Sequence, residues 1–484
     1  MRSRLAQLAA ALLVLPLLPA KTANGSTQEV TSTLSAEGYS VPAADGSSIS
    51  RRRFVEDLRL SAWDLLPGSA DPYYRGPRLS LELELRLNTD FAVARSESDP
   101  DVAAGYSPGT RPLEMDAVIA YLSAVGLWNG ALDARGGRQI RLDTVGFTAF
   151  DGLEATLHLP AGISISPFLG YEVRGGDLLG YDELELDGVD SGGRRGLEAE
   201  RYPSRIDPEP RLAFGTEIGF SPRRWLDAAA AVRVVGLSQE VADQRVGGRI
   251  DAGQGPVRAH VRAVWSPLLD RQDDFAAAAA EGTAVSEADA ELSIAPIDPL
   301  TVTAEYHLYR PVFEADSIFN VFDLTPRRDV GGRVDVDVTR ATSVAVWGFT
   351  RLADESAGLD GDSEDSLLAG AGGGLGTTHR TARRSAAARV TGTREWGESR
   401  VGVELGGGHG FLDNRIWLAL RGTYWHIDDG LSSLFSGDIV GYLASVRVRL
   451  LEGAHVGAEF ENYYGGGVGP RFVALGILQL DLWR

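Results

Sequence analysis

Ten residues from Leu79 to Asn88 read Leu-Ser-Leu-Glu-Leu-Glu-Leu-Arg-Leu-Asn, with leucine at every odd position and a polar or charged side chain at every even one. An extended chain sends successive side chains to opposite faces, so this segment asks for apolar surroundings on one face and water on the other. A half-buried strand in a soluble sheet shows the same alternation, and repetition separates the two readings. The dyad returns at Arg333–Thr339, where Val334, Val336 and Val338 oppose Arg333, Asp335 and Asp337. It returns at Val440–Leu450, where Val440, Tyr442, Ala444, Val446, Val448 and Leu450 oppose Ser445, Arg447 and Arg449. Val257, Ala259, Val261, Ala263 and Trp265 face away from Arg258, His260 and Arg262, and Leu300–Leu308 alternates in the same way. Segments of about ten residues with this period, separated by turn residues, are the signature of a membrane-spanning β-barrel with a wet interior.

The expected fold is therefore all-β: a single transmembrane antiparallel β-barrel of about 18 strands, within 16 to 20, with short periplasmic turns and long extracellular loops. Nineteen strand candidates run from Arg51–Asp64 to Phe472–Trp483, one of them Thr378–Val390. Short connections fall at Asp151-Gly152, Asp298-Pro299 and Glu452-Gly453, and long polar loops at Arg174–Pro210, Pro311–Arg328 and Ala353–Leu367. Met115–Gly130 fits a helical stripe through Met115, Val118, Ile119, Leu122 and Val125 as well as it fits a strand or an infolded plug. Asp270–Glu281, with its alanine run, reads as a short helix or a loop.

The first residues address the chain. Arg2 and Arg4 precede an apolar run from Leu5 to Leu18, followed by small residues, which is the pattern of a secretory signal peptide. Cleavage fits Ala23-Asn24-Gly25 best, with a second possibility after Ala20. The expected organisation is a cleaved signal over 1–25, a flexible N-terminal segment over 26–48, and the barrel over 49–484, placed in the outer membrane. No later apolar run approaches the ~20 residues of a membrane helix, and at 484 residues without a visible linker the chain exceeds a single filled core. A barrel with a wet interior escapes that limit, because its length grows with strand number.

Charge sits where such a barrel needs it. The formal net charge is −20, and the loss of Arg2, Arg4 and Lys21 with the signal makes it more negative. Lys21 is the only lysine, so the remaining positive charge is arginine. Glu82, Glu84, Arg86, Arg233, Arg258, Arg262, Arg333, Arg421, Arg447 and Arg449 alternate with apolar neighbours and are expected to line the pore. An arginine facing lipid near mid-bilayer costs about 2–4 kcal/mol.

Motifs for chemistry are scarce. The absence of cysteine excludes disulfides, thiolate metal sites and thiol nucleophiles. His158, His260, His307, His379, His409, His426 and His455 are scattered without metal-ligand spacing. The acidic stretch Asp354–Asp365 lacks the spacing of an EF-hand and reads as a solvated loop. There is no Gly-x-Ser-x-Gly elbow and no phosphate loop, and acidity argues against nucleic acid. No enzymatic activity, metal or cofactor is expected.

Gly137-Arg138-Gln139, followed beyond one strand by Phe150-Asp151-Gly152-Leu153 as an Asp-Gly hairpin, resembles the first third of alginate-export-type porins. The resemblance implies a monomeric barrel whose arginine-rich lumen passes an anionic exopolysaccharide, with Arg138 as a pore arginine. The partners expected are outer-membrane lipid and lipopolysaccharide, an anionic polysaccharide or small solutes in the lumen, and a periplasmic export partner. The alternatives are a general or substrate-specific diffusion porin, or a non-conducting β-rich surface or adhesin protein. The C-terminus departs from the usual barrel-assembly signal, because Trp483 lies in phase with Gln479 and Asp481 rather than with the apolar row Leu478, Leu480 and Leu482.

Overall fold

The computed structural model describes residues 27–42, 48–66, 69, 74, 76–90, 114–173, 211–237, 240–266, 285–309, 327–353, 368–395, 398–429, 436–465 and 468–483. Alternating apolar and polar residues, rich in valine, threonine and aromatics, drive nearly all of them into extended strands. In chain order these are β1 (Thr27–Pro42), β2 (Ser48–Trp63), β3 (Arg78–Asp90), β4 (Glu114–Gly126) and β5 (Leu132–Asp143). Next come β6 (Gly146–Leu159), β7 (Ile163–Glu172), β8 (Leu212–Arg223), β9 (Leu226–Leu237), β10 (Glu240–Gln254) and β11 (Val257–Trp265). The second half holds β12 (Val285–Ile297), β13 (Leu300–Tyr309), β14 (Arg327–Thr339), β15 (Thr342–Ala353), β16 (Leu368–Arg380) and β17 (Arg384–Glu395). The sheet ends with β18 (Glu398–Phe411), β19 (Ile416–Asp429), β20 (Gly437–Leu451), β21 (Ala454–Gly465) and β22 (Val468–Trp483).

Each strand pairs antiparallel with the next, and β1 pairs with β22 from Ser40↔Phe472 to Val30↔Trp483. Closure leaves neither β1 nor β22 as a free edge strand. The strand count of 22 corrects the expected 18. The segment 26–48, expected to be flexible, supplies β1, so the barrel begins at Thr27 rather than at residue 49. The ambiguous Met115–Gly130 is β4 with a short turn over Leu127–Gly130. The single candidate Thr378–Val390 spans the end of β16, a turn and the start of β17. Asp151-Gly152 is not a turn but lies inside β6, and the connection falls at Thr144-Val145. The signal segment, the alanine run and the acidic stretch Asp354–Asp365 lie outside the described residues.

Register separates two surfaces. Val302, Val334, Val346, Leu375, Val390, Val403, Tyr424, Val440 and Tyr464 are successive cross-strand partners, making one unbroken apolar row across nine strands. Many residues of this face are large, apolar and exposed, including Leu405, Leu418, Leu420 and Phe460. The other face carries Arg249, Arg262, Asp289, His307, Asp329 and Arg351, again successive partners, along a belt from β10 to β15. The apolar face is the outside and the charged face lines the interior. At the end of the barrel where β1 starts and β22 stops, the connections from β4–β5 through β20–β21 are two to five residues long. A round section through 22 strands, spaced about 4.8 Å and tilted about 40°, would be roughly 44 Å across. Wall side chains alone do not fill such a space.

Candidate functional site: a hairpin folded against the inner wall

The β5–β6 hairpin enters that space. Its own ladder runs to Asp143↔Gly146, but β6 pairs with β7 only between Leu159 and Phe150, so the tip outruns its neighbour. Beyond that point the hairpin lies against the inward face of later strands. Thr144 donates from both its N–H and its hydroxyl to Glu217 Oε2 on β8, at 2.9 and 2.8 Å. Arg262 on β11 donates through Nε to the Thr144 carbonyl oxygen at 2.8 Å. Arg233 on β9, 5% exposed, donates to the Phe147 carbonyl oxygen at 2.7 Å and to the Thr148 hydroxyl.

Apolar contacts complete the docking. Val145, fully buried, packs with Ala231 and Val264. Complete burial of a valine contributes about 1.5–3 kcal/mol. Lower down, Phe150 packs with Phe168, Ala213 and Val235, its ring centroid 5.0 Å from that of Phe168. Arg141 is held between Asp143 at 2.8 Å and Glu154 at 2.5 Å, with its guanidinium over the Phe168 ring. Burial of that triad ties it to a single geometry, because removing one member leaves a charge stranded out of water. On the opposite face of the tip, Leu142 and Phe147 are cross-strand partners, 81% and 53% exposed.

The belt supports the hairpin from below. Arg262 also pairs with Glu287 at 2.8 Å and Asp289 at 3.2 Å. His307 contacts Asp289 at 2.8 Å, and Arg351 pairs with Asp329 at 2.7 Å. Elsewhere on the inward face Arg86 pairs with Asp57 at 2.7 Å, Arg59 with Glu82 at 3.6 Å, and Arg333 with Asp335 at 2.7 Å. Arg258, Arg421, Arg447 and Arg449 also point inward, and among the described residues their side chains form no ion pair. Beside them, inward aromatics lie against the glycine directly across the ladder: Phe349 on Gly372, Trp347 on Gly374, and Trp425 on Gly402. Arg389 sits over the Trp347 ring.

The sequence-derived residues thus divide. Glu82, Glu84, Arg86, Arg233, Arg258, Arg262, Arg333, Arg421, Arg447 and Arg449 are on the inward side of their strands. Arg138 is not. It shares phase with Gly136 and Leu142 on β5 and, through its partner Asp151, with the exposed Leu153 on β6, which places it on the outer face. Plain alternation accounts for this, since the inward positions on either side of it belong to Gly137 and the buried Gln139. Sequence reasoning missed Arg141, Thr144, Val145, Glu154 and Glu217. Their contacts join distant segments and leave no local periodicity, although an apolar Val145 inside a two-residue turn was a readable sign that the turn is covered.

Together the fold and site define a closed β-barrel, apolar outside and charged inside, with one of its own hairpins folded into the interior. Such a barrel meets the requirement for spanning a bilayer, because its strands pair side by side around a closed ring, with only the infolded β5–β6 tip leaving the ladder. The sequence matches no protein-family model and no curated protein. Among solved structures the chain is similar to OccK1 of Pseudomonas aeruginosa, with a TM-score of 0.42 and 8% identity over 94% of this chain and 98% of that one. It is similar to OccAB1 of Acinetobacter baumannii, with a TM-score of 0.44 and 6% identity over 96% and 99% of the two chains. OpdQ of Pseudomonas aeruginosa gives a TM-score of 0.40 and 9% identity over 94% and 99%.

Proposed function

We propose that the protein is a passive outer-membrane channel, a porin through which small polar and charged solutes diffuse. The observation that carries this reading is the infolded hairpin. It narrows an otherwise wide, water-lined barrel and does so through buried charged contacts that fix its position. The apolar outer rows suit lipid, and the inward arginines and carboxylates suit hydrated solutes. Arg258, Arg421, Arg447 and Arg449, without ion-pair partners among the described residues, are the groups best placed to attract anions. Export of an anionic exopolysaccharide, the expectation that came with the Gly137-Arg138-Gln139 resemblance, loses its assigned pore arginine, since Arg138 faces outward.

The test is single-channel recording of the refolded protein in planar bilayers, with Arg447→Glu and Arg449→Glu combined as the charge-reversed variant. Steady conductance with an anion preference that falls in the variant supports the channel. That preference should also weaken between 0.1 and 1 M salt, as the screening length falls from about 10 to about 3 Å. Block by an anionic oligosaccharide, but not by small anions, would favour the polymer conduit. A protein that never inserts or conducts overturns the channel.

A further inference from the structure

We propose that the Arg138–Asp151 pair, on the outside of the barrel, is the clasp that holds the β5–β6 hairpin in the lumen, so that Arg138 is a positioning residue for the constriction. The inference rests on the channel reading and adds to it a control point remote from the pore.

The pair sits where the hairpin leaves the wall. β4 pairs with β5 only through Ala120↔Arg138 to Ala124↔Ala134, so the two strands part immediately beyond Arg138. There one guanidinium ties three strands. Its Nε and Nη2 donate to the two carboxylate oxygens of Asp151 on β6, both at 2.8 Å, and its Nη1 donates to the Ala117 carbonyl oxygen on β4 at 3.0 Å. Bidentate, charge-assisted bonds of this kind fix direction as well as distance.

The inner side of the same level is a row of glycines. Gly137, Gly152 and Gly170 are successive cross-strand partners on β5, β6 and β7. Gly137 adopts φ +125°, and a Cβ there would run into the Ala120 carbonyl oxygen. A Cβ at Gly152 would strike the Leu169 carbonyl oxygen, and one at Gly170 would come within 2.5 Å of the Asp151 carbonyl oxygen. Without side chains this row permits a sharp crease, and its inner cover comes from neighbours: the Phe150 ring lies over Gly170, and Gln139 donates to the Gly152 carbonyl oxygen at 3.3 Å. On the outer side, Val118 and Ala149 pack with Ile119, Ile140 and Val173 behind the bend. The clasp and this small cluster are therefore what close the crease from outside.

The chain has no cysteine, so a single reporter thiol is unambiguous. Val145→Cys places it at a fully buried position on the docked tip. The experiment measures maleimide labelling of V145C in the refolded barrel alone and combined with R138A, D151N or the charge swap R138D/D151R, with heat-modifiable migration as the check on folding. The clasp predicts slow labelling of V145C, labelling faster by about tenfold or more with R138A, an intermediate rate with D151N, and recovery in the swap. In bilayers the R138A barrel should show larger and noisier conductance, reversed by the swap. Equal labelling rates with and without Arg138, or fast labelling of V145C itself, overturn the clasp. Should R138A not refold, D151N and the swap decide the question alone. Labelling does not depend on conduction, so a barrel that labels as expected but never conducts sinks the channel reading and leaves the clasp standing.

Discussion

Arg262 reaches back 118 residues to donate to the Thr144 carbonyl oxygen, while the same guanidinium holds Glu287 and Asp289. One side chain thus joins the wall's charged belt to the tip of the hairpin. Glu217 does the complementary work from β8, accepting from the backbone and hydroxyl of Thr144. The tip is gripped through its carbonyl and its N–H at once, which fixes its height as well as its distance from the wall.

Replacing Glu217 separates the acceptor from the charge. Glu217→Gln keeps one oxygen able to accept from Thr144 and should leave the hairpin docked. Glu217→Ala leaves a buried N–H unpaired, at a cost of about 1–3 kcal/mol. Amide exchange at Thr144 and Val145 should be slow in the parent and in E217Q and clearly faster in E217A; equal protection in all three would refute the contact.

Arg141 poses a harsher test. Arg141→Ala strands the buried Asp143 and leaves Glu154 only its longer contact with Arg135 at 3.9 Å, and breaking a buried pair in this way costs about 3–5 kcal/mol. Chemical denaturation in detergent should show the loss, and Glu154→Gln in the same background should recover part of it by removing one uncompensated carboxylate. No recovery would mean that packing over Phe168, rather than charge, is what Arg141 supplies.

Sidedness can be checked with two neighbouring residues. Leu420 lies on the apolar face and Ala419 on the inward one. Leu420→Arg should destabilise the lipid-embedded barrel by about 2–4 kcal/mol, whereas Ala419→Arg, in water, should change stability by about 1 kcal/mol or less. Equilibrium refolding into lipid vesicles measures both, and equal penalties would contradict the assignment of the two faces.

The glycine and aromatic pairs give a fourth prediction. A Cβ at Gly402 would meet the Trp425 ring, with Cδ2 at 2.5 Å. Gly402→Val must push that indole off the wall into water, so the tryptophan emission should shift to the red and the melting temperature should fall. Unchanged emission would mean that the ring is not seated on the glycine.

How much of this was legible in the sequence depended on whether each strand's pattern stayed in phase. β3 announced itself through alternate leucines, and the valine and arginine dyads of β14 and β20 were equally plain. β4 was ambiguous for a definite reason: the ladder with β3 slips between Glu84 and Leu85, leaving Val118 as an extra residue. That bulge shifts the apolar phase by one, and a strand with such a slip imitates helical spacing. β16 was hidden because Gly370, Gly372, Gly373, Gly374 and Gly376 carry no apolar–polar alternation, although two of them are floors for Phe349 and Trp347. β1 was hidden because serine, threonine and glycine interrupt its apolar alternation. The hairpin's interior destination was written in contacts between distant segments, which a one-dimensional pattern does not carry.

The seam between β1 and β22 bears on how the barrel comes into being. Its two sides are the earliest and latest described strands of the chain, so the pairing that closes the ring is also the most non-local one in the molecule. Without β22, the facing edges of β1 and β21 would both lie open, so a single strand of the chain carries both hydrogen-bonded borders of the seam.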